Sequence, residues 1–368
     1  MDKNERISVA FAAIDKQLET YIPSFEEKEN AKSYVTWGDK NDIPNYLFDL
    51  FTDVSTLKTI ILGTADYVAG DDATCNIKGF DVEVNKKGDT MFEMIKWLSR
   101  DWLIYGGFCF QVIRRKDGSI GELYYIDFRN IRTSKKHDLF WYSEKWGQKY
   151  ARTTKTVVYP KFVPEAINVP TSIVYVTNEK SRTYPICRYS GALKACEIER
   201  HIDEYHLSSL DNGFMGSYIL NFLNGIPSDE QKMELERSVQ EKLCGSSNAG
   251  RIVLNFADSK DNATKLEKLE PVDFASKYES AAKRSREQIF CAFQAVPALF
   301  GLMSESTGFN EQEFSESFKL YNRTVVRPIQ RLISKTMDKV FQVDGSITIQ
   351  PYSIGDNNNT NNEEKEVE

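Results

Sequence analysis

Six basic side chains recur at every fourth position late in the chain, and we call this set the basic ridge. Its members are Lys319, Arg323, Arg327, Arg331, Lys335 and Lys339. On an α-helix, each step of four residues overshoots a full turn by about 40°. The ridge is therefore expected to wind around its helix and not to form a flat patch. Such a row of cations could pair with acids of an adjacent subunit or face phosphates, and it could equally be a solvated face.

The other residues that could do chemistry form no recognisable site. The sequence has no Gly-x-x-x-x-Gly-Lys-Ser/Thr loop, no Gly-x-Gly-x-x-Gly after a strand and no Gly-x-Ser-x-Gly elbow. Of its three histidines, His201 and His206 are five residues apart and point to different faces of a helix. Asp71 and Asp72 lie in a turn, where solvation is a better explanation than a Mg²⁺ site. We expect no catalytic residues, no metal and no cofactor.

The six cysteines are widely spaced and include no Cys-x-x-Cys pair. They are Cys75, Cys109, Cys187, Cys196, Cys244 and Cys291. Without a signal peptide, this pattern favours buried free thiols over disulfides or zinc ligands. No apolar run approaches the length needed to span a membrane. We therefore expect the protein to be made and folded in a reducing cytoplasm.

The charge of the chain is concentrated at one end. The net charge is −7, from 47 basic and 54 acidic residues. The stretch from Gly355 to Glu368 contains five acids and one lysine, so it supplies −4 of that total. The rest of the chain is nearly neutral and has no overall basic field of the kind that nucleic-acid binders often show. Any contact with DNA must be local.

The first half of the chain predicts helices followed by an antiparallel sheet. After a loosely held arm over residues 1–32, apolar spacing predicts helices over 46–54, 55–70 and 91–105, with 73–88 strand-like. The strands that follow are predicted to be Phe108–Arg114, Glu122–Phe128, Leu139–Trp146, Thr156–Tyr159 and Ser172–Val176. A turn at Lys116–Gly118 joins the first two of these strands as a hairpin. With 368 residues, two or three structural units are expected.

The second half predicts long helices around a small β-α-β unit. A helix begins at Ser190, a plausible N-cap, and strands 217–223 and 251–256 flank a helix whose Ser228 and Gln231 fit a capping box. A helix from Asp273 is followed by the interruption Ala295–Gly301 and a polar loop. The last helix covers 310–341, where Pro328 should produce a kink because it lacks an N–H. A strand over Ser346–Tyr352 follows.

Four passages resemble the portal proteins of tailed bacteriophages. Trp37–Asn45, which reads WGDKNDIPN, is similar to the N-terminal turn of that family. Trp102–Leu123 resembles its passage of helix, Gly-Gly, strand, Arg-x-x-Gly and strand. Arg286–Gly301 resembles its "Glu-x-Ile … Val-Pro-x-x-x-Gly" passage, and Phe314–Phe341 resembles its "Thr-x-x-x-Pro" helix. The order and spacing of these passages across some 300 residues carry the likeness.

The resemblance implies an α+β fold with the parts of a portal subunit. The wing would cover 1–189 and contain N-terminal helices and an antiparallel sheet. Two stem helices, 190–215 and 273–295, would flank a small β-α-β clip over 216–272. A tunnel loop region over 296–309 would be followed by a kinked channel helix with a return strand to the wing, 310–354, and by an acidic tail over 355–368 that is too polar to fold alone. A large C-terminal crown is common in the family, and only this polar tail stands in its place.

The resemblance also implies a function and its partners. Portals form a ring, typically of twelve subunits, at one capsid vertex of the virion, and this subunit would be assembled in the bacterial host cytoplasm. The ring would be the channel through which double-stranded DNA is packaged and ejected. It would dock the large terminase, a head-completion or adaptor protein and the major capsid protein. It would act as a head–tail connector, would not be an enzyme and would not contact a membrane.

The resemblance assigns roles to particular side chains. The tunnel loop would be Ser304, Glu305, Ser306, Thr307 and Gly308. The candidates for a subunit interface are Lys277, Arg284, Arg286, Arg323, Arg327, Arg331, Glu199 and Asp203. Two other readings stay open: a phage-encoded, metal-dependent nuclease that uses scattered acids, and a cytoplasmic scaffold or adaptor without a DNA channel.

Overall fold

The structure is a computed structural model, and it divides into two units. The larger unit consists of residues 22–196 and 284–368, and the smaller unit consists of residues 1–21 and 197–283. The residues that the structure describes are 22–30, 33–146, 156–211, 218–222, 228, 230–231, 233–234, 252–256, 274–302 and 311–353. Most of the predicted N-terminal arm lies outside this set.

Three helices of the larger unit confirm the predictions for the first hundred residues. They are α1 (Ile43–Asp53), α2 (Ser55–Ala69) and α3 (Met91–Tyr105). At the start of α3, Thr90 Oγ1 accepts a hydrogen bond from the Glu93 N–H at 3.2 Å, and Glu93 Oε2 accepts one from the Thr90 N–H at 2.9 Å. The helix ends at Gly106, whose φ is +84°. A Cβ there would lie 2.6 Å from the Ile186 carbonyl oxygen, so only glycine fits.

The strands of the larger unit form two three-stranded sheets, where a single antiparallel sheet was expected. One sheet has the order β5-β4-β9 and the other β6-β7-β8, and all pairings within them are antiparallel. The strands are β4 (Gly107–Arg114), β5 (Ile120–Ile126), β6 (Ile131–Thr133), β7 (Leu139–Tyr142), β8 (Val157–Pro160) and β9 (Thr171–Thr177). The predicted hairpin is present as β4 and β5. The three-residue β6 was missed because so short a strand leaves no alternation to detect.

Two smaller strand pairs complete this unit. The pair β1 (Glu27–Glu29) and β2 (Val35–Trp37) is antiparallel and precedes α1. The stretch 73–88 was predicted to be strand-like, but only β3 (Asp72–Cys75) forms, and turns follow it. β3 pairs antiparallel with β12 (Ile347–Gln350), which joins a strand near the end of the described chain to the segment that follows α2.

A buried arginine organises the turn between β2 and α1. Arg132 on β6 is 0% exposed, and its guanidinium donates only to neutral oxygens. Nε donates to Asn41 Oδ1, Nη2 to the Asn41 carbonyl at 3.0 Å, and Nη1 to the carbonyls of Arg129 and Ile131 at 2.8 and 2.9 Å. Its Cζ lies 5.0 Å from the centroid of the Trp146 ring. Burial lowers the pKa of Arg132 to about 10.

The same turn is closed from its other side by Trp37 and Asn41. The Trp37 ring stacks on Tyr184 with centroids 4.6 Å apart and planes inclined by 7°. Asn41 adopts a φ of +60°, and its Oδ1 also accepts a hydrogen bond from the Trp37 N–H at 2.9 Å. The passage that reads WGDKNDIPN is therefore a structural turn, in which the Asn41 side chain links the backbone of β2 to Arg132.

A buried carboxyl ties α3 to the sheet. Asp101 is 1% exposed, and its Oδ2 accepts hydrogen bonds from the Tyr125 hydroxyl at 2.9 Å and the Phe128 N–H at 3.2 Å. Arg100 Nη2 lies 3.4 Å from Oδ1. Burial, followed by the nearby charge of Asp127, raises the pKa of Asp101 to about 7 against the opposing effect of these partners.

The last part of the larger unit is a series of helices that pack on its core. They are the end of α5 (Phe274–Phe293), a 3-10 turn (Pro297–Phe300), α6 (Glu311–Tyr321), a π-helical turn (Asn322–Val326) and α7 (Arg327–Phe341). Their buried side chains belong to one hydrophobic cluster with those of α1, α2, α3 and β4. The predicted interruption at Ala295–Gly301 is confirmed by the 3-10 turn.

The smaller unit contains most of α4 (Leu193–Asp211) and the start of α5. Its strands β10 (Tyr218–Phe222) and β11 (Ile252–Phe256) pair in parallel, which requires a crossover connection such as the predicted helix. The predicted capping box is confirmed, because the Ser228 N–H donates to Gln231 Oε1 at 3.2 Å and the Gln231 N–H donates to Ser228 Oγ at 3.4 Å. The rings of Tyr205 and Tyr278 stack at 4.7 Å.

Two local predictions were wrong. Ser190 is not an N-cap: it begins a 3-10 turn (Ser190–Ala192) whose N-cap is Tyr189, and no side chain caps that turn. Cys291 is exposed, because it lies on the outer side of α5, whereas Cys75, Cys109, Cys187 and Cys196 are buried free thiols as predicted. Cys244 lies outside the described residues.

Replacing the buried arginine should destabilise the larger unit. In Arg132→Met the acceptors at Asn41, Arg129 and Ile131 lose their donors inside the protein, so we expect the free energy of unfolding to fall by about 3 kcal/mol. Arg115→Met, which removes an exposed arginine, is the matched control and should change it by less than about 0.5 kcal/mol. Urea unfolding measures both, and equal stabilities of the two variants would contradict the role of Arg132.

The stability of the fold should depend on pH through Asp101. Because the folded protein binds this proton more tightly than the unfolded chain does, the free energy of unfolding should fall as pH rises from about 4 to about 7 and then level off. The difference between the ordinary carboxyl pKa of 3.8 and the raised pKa of about 7 corresponds to a change in the free energy of unfolding of roughly 4 kcal/mol at most. Asp101→Asn should flatten this dependence in urea unfolding at a series of pH values. An equally steep slope in the variant would assign the effect to other groups.

Candidate functional site

The basic ridge lies on a helix that changes type in its middle. The single kinked helix that was predicted is instead α6, the π-helical turn and α7 in succession. Pro328 lies just after the π-helical turn and has no N–H to donate to the carbonyl of Thr324. The Arg327 N–H donates to the Asn322 carbonyl, five residues back. The irregularity predicted at Pro328 thus takes the form of a π-helical turn on its N-terminal side.

One side of this helical segment is anchored to α2. Its buried residues also recur at steps of four: Tyr321, Val325, Ile329, Ile333 and Met337. Tyr321 Oη and Thr64 Oγ1 are hydrogen-bonded at 2.7 Å, and both side chains are buried. Gln330 Nε2 donates to the carbonyl of Val68, also on α2, at 3.0 Å. These contacts fix which side of the segment faces the core.

The π-helical turn brings the basic ridge to the opposite side. All six ridge residues are exposed, although five steps of four on a regular α-helix would rotate the last one by about 200° from the first. A π-helical turn holds one residue more than an α-helical turn, which takes about 100° out of that rotation. The ridge therefore still winds around the helix, by about half as much as on a regular α-helix, and all six of its side chains stay exposed.

The ridge carries almost uncompensated charge. Lys319 Nζ lies 2.7 Å from Glu316 Oε1, in an exposed pair one helical turn apart. Within the described part of the chain, the other five ridge residues have no acidic oxygen within 4.0 Å. Their positive charges therefore face solvent along a distance of about 24 Å, from a rise of about 1.5 Å per residue. Such a surface can bind an extended row of carboxylates or phosphates.

The predicted tunnel loop lies outside the described residues, but both of its flanks are described. Tyr67 on α2 holds both of them. Its hydroxyl donates to the Leu299 carbonyl at 2.8 Å, before the loop, and its ring lies 5.4 Å from that of Phe318, after the loop. The Phe300 ring lies 6.0 Å from Tyr67 and 5.7 Å from Tyr321. The sequence did not single out Tyr67, because it lies beside the apolar stripe that predicted α2.

The remaining interface candidates are placed in different environments. Arg284 and Arg286 on α5 are exposed, and so is Asp203 on α4. Glu199 is only 8% exposed within a single chain, which makes it a poorer candidate for pairing with a neighbour. Lys277 lies in α5, and its side chain is outside the described residues. Among the candidates whose side chains the structure describes, Arg323, Arg327 and Arg331 lie exposed along one helical segment.

Metal sites and membrane-spanning helices are both absent from the residues that the structure describes. No group of three or more His, Cys, Asp or Glu in those residues is arranged to hold a metal ion. In the same part of the chain, no helix is long and apolar enough to cross a membrane.

Solved structures of gene transfer agent particles share this fold. The neck of the native particle, computed with C12 symmetry, aligns with a TM-score of 0.53 and 16% identity over 84% of both chains. The neck of the empty particle, computed with C6 symmetry, aligns with a TM-score of 0.54 and 14% identity, again over 84% of both chains. At such identities the likeness is one of fold, here a mixed α+β fold.

Sequence comparison identifies the family. An uncharacterised protein of Rickettsia bellii (strain RML369-C) is 26% identical over 181 residues, which are 46% of this chain and 44% of that protein. The match therefore spans less than half the length of that relative. The family model for phage portal proteins matches residues 82–354, well over half of the 368 residues. This chain belongs to the phage portal protein family.

Proposed function

We propose that this protein is the subunit of a portal ring, through which DNA enters and leaves a phage-like particle at one capsid vertex. The observation that carries the proposal is the family match over residues 82–354. The proposed role is structural and requires no reaction. The subunit would be made in the bacterial host and would end up in the virion, at the junction of head and tail.

The ring would contain several copies, and twelve is the number we propose. The likeness to the neck of a native particle computed with C12 symmetry supports this number, whereas the neck of the empty particle was computed with C6 symmetry. A cyclic ring needs head-to-tail contacts, in which one side of a subunit meets the different, opposite side of the next. A row of like charges on one side of a subunit, such as the basic ridge, suits that arrangement, because it can meet opposite charges on the different side of the next subunit.

Different parts of the chain would have different roles in the ring. Residues 1–189 and the return strand would form the wing, and the pairing of β12 with β3 supports their attachment. The stem helices would be 190–215 and 273–295. The clip, 216–272, would meet the large terminase and later a head-completion or adaptor protein, and the parallel pairing of β10 with β11 supports a β-α-β unit there. The wing would contact the major capsid protein.

The basic ridge would contact the neighbouring subunit and would not bind DNA tightly. A channel that lets DNA slide must avoid tight phosphate contacts, because each neutralised phosphate strengthens binding through counterion release. Five ridge cations have no acidic partner in the described part of the chain, and they extend over about 24 Å, enough to hold a duplex strongly if they lined the channel. We therefore assign Arg323, Arg327 and Arg331 to the subunit interface, together with Arg284, Arg286 and Asp203.

Imaging of the purified protein tests the ring directly. Negative-stain electron microscopy should show rings with a central hole, and a stable monomer at all concentrations would contradict the proposed function. Arg327→Glu should raise the protein concentration needed for half assembly by about tenfold, because it places like charges at each interface. Arg327→Lys keeps the charge and should assemble nearly as the unchanged protein does. If Arg327→Glu also assembles normally, the ridge does not form the interface.

The proposed tunnel loop can be tested separately from assembly. Deletion of Ser304 to Thr307 should leave the rings intact, because the flanks on both sides remain held by Tyr67. Packaged or retained DNA per particle should fall severalfold, because the segment expected at the narrowest part of the channel is removed. Quantifying DNA in particles assembled with either form measures this. Normal DNA content would contradict the assignment of the loop.

A further inference from the structure

The chain carries two stretches of opposite charge that are close in sequence. The basic ridge presents six positive charges on the solvent side of α6 and α7. Residues 356–368, which we call the acidic segment, contain Asp356, Glu363, Glu364, Glu366 and Glu368 with the single Lys365. The acidic segment therefore carries −4 against the +6 of the ridge.

The described chain ends beside Phe318, the residue that precedes the ridge in sequence. The ring of Tyr352 packs between those of Tyr67 and Phe318, at 4.9 and 6.1 Å. The next residue, Ser353, is held by Asp71 Oδ2, which accepts hydrogen bonds from its N–H at 3.1 Å and from its hydroxyl at 2.6 Å. Phe318 directly precedes Lys319. The acidic segment therefore starts from a fixed point on the α2 side of α6, about one helix width, roughly 10 Å, from the ridge.

The length of the intervening chain suits the length of the ridge. The ten residues from Ile354 to Glu363 can span up to about 35 Å when extended. The ridge measures about 30 Å from Lys319 to Lys339. Between Asp356 and Glu363 the sequence is uncharged, with five asparagines and one threonine. With about 10 Å needed to pass around the helix, a chain of this length can still bring the glutamates to the far half of the ridge, Arg331 to Lys339.

We propose that, in the unassembled subunit, the acidic segment lies along the basic ridge of its own chain. The carboxylates of Glu363, Glu364 and Glu366 pair with the ridge residues that have no acidic partner in the described structure. A single exposed pair contributes only about 0.2–1 kcal/mol. Several pairs formed within one chain benefit from an effective concentration of roughly millimolar. The docked state is therefore populated at low salt and easily displaced.

Docking of this segment has a consequence for assembly, and that consequence rests on the proposed function. If the ridge is a subunit interface, the acidic segment and the neighbouring subunit compete for the same cations. The segment then shields each free subunit and is displaced when a neighbour with more contacts arrives. The docking itself requires no ring and can be tested on unassembled protein.

Carbodiimide cross-linking of the full chain tests the docking, because it joins a carboxylate to a lysine only when the two are in direct contact. At low salt, mass spectrometry should find Glu363, Glu364 or Glu366 joined to Lys335 or Lys339. At about 1 M salt, where the Debye length is about 3 Å, these links should fall at least fivefold. The exposed pair Lys28–Asp39, with Nζ and Oδ1 2.7 Å apart, is the positive control for the reagent.

A ridge variant separates docking from chance encounters. In Arg323→Gln, Arg327→Gln, Arg331→Gln the reporting lysines remain, and their links to the acidic segment should fall at least fivefold. A mixture of ¹⁵N-labelled and unlabelled copies should give links within one copy only. The proposal is overturned if the control pair links and the segment does not, if the segment links equally to the exposed Lys58, or if links join differently labelled copies. None of these outcomes bears on whether rings form in the microscope.

Discussion

The absence of one backbone N–H, at Pro328, sets the geometry of the surface on which the proposed function depends. Without that donor the α-helical ladder cannot continue through Thr324, and the chain forms a π-helical turn instead. This turn removes about half of the rotation that two series of residues, each repeating at every fourth position, would otherwise accumulate along the segment. Apolar residues from Tyr321 to Met337 stay against the core, and the cations of the basic ridge stay in solvent. In a regular helix both series would have drifted out of place.

A second constraint comes from a buried cation, Arg132, that has no hydrogen-bonded carboxylate among the described residues. The guanidinium of Arg132 is satisfied by oxygens of Asn41, Arg129 and Ile131. Its planar set of donors matches acceptors that lie in different directions, which a compact ammonium could not do. The turn that resembles the portal family's N-terminal passage is thus explained by packing. Its residues are structural, while the ridge remains open to a partner.

The sequence predicted the local elements well and the tertiary relations poorly. Helices such as α3 follow from apolar spacing, the capping box at Thr90 and the stop at Gly106, all of which are local signals. The split into two sheets depends on which strands pair, and one of those strands, β6, is three residues long and has no pattern of its own. The ridge could be read from spacing, but its alignment could not, because the π-helical turn arises from Pro328 acting together with the packing of Tyr321 on Thr64. Tyr67 could not be found, since its role is a contact between distant parts of the chain.

The position of Tyr67 has a consequence for how this protein can vary. Both flanks of residues 303–310 are attached to the same helix through one side chain, so the stretch between them starts and ends at fixed points. A change at Tyr67 would therefore disturb both flanks at once. Substitutions within residues 303–310 leave this attachment unchanged, so the side chains of that stretch can vary while its two ends stay in place.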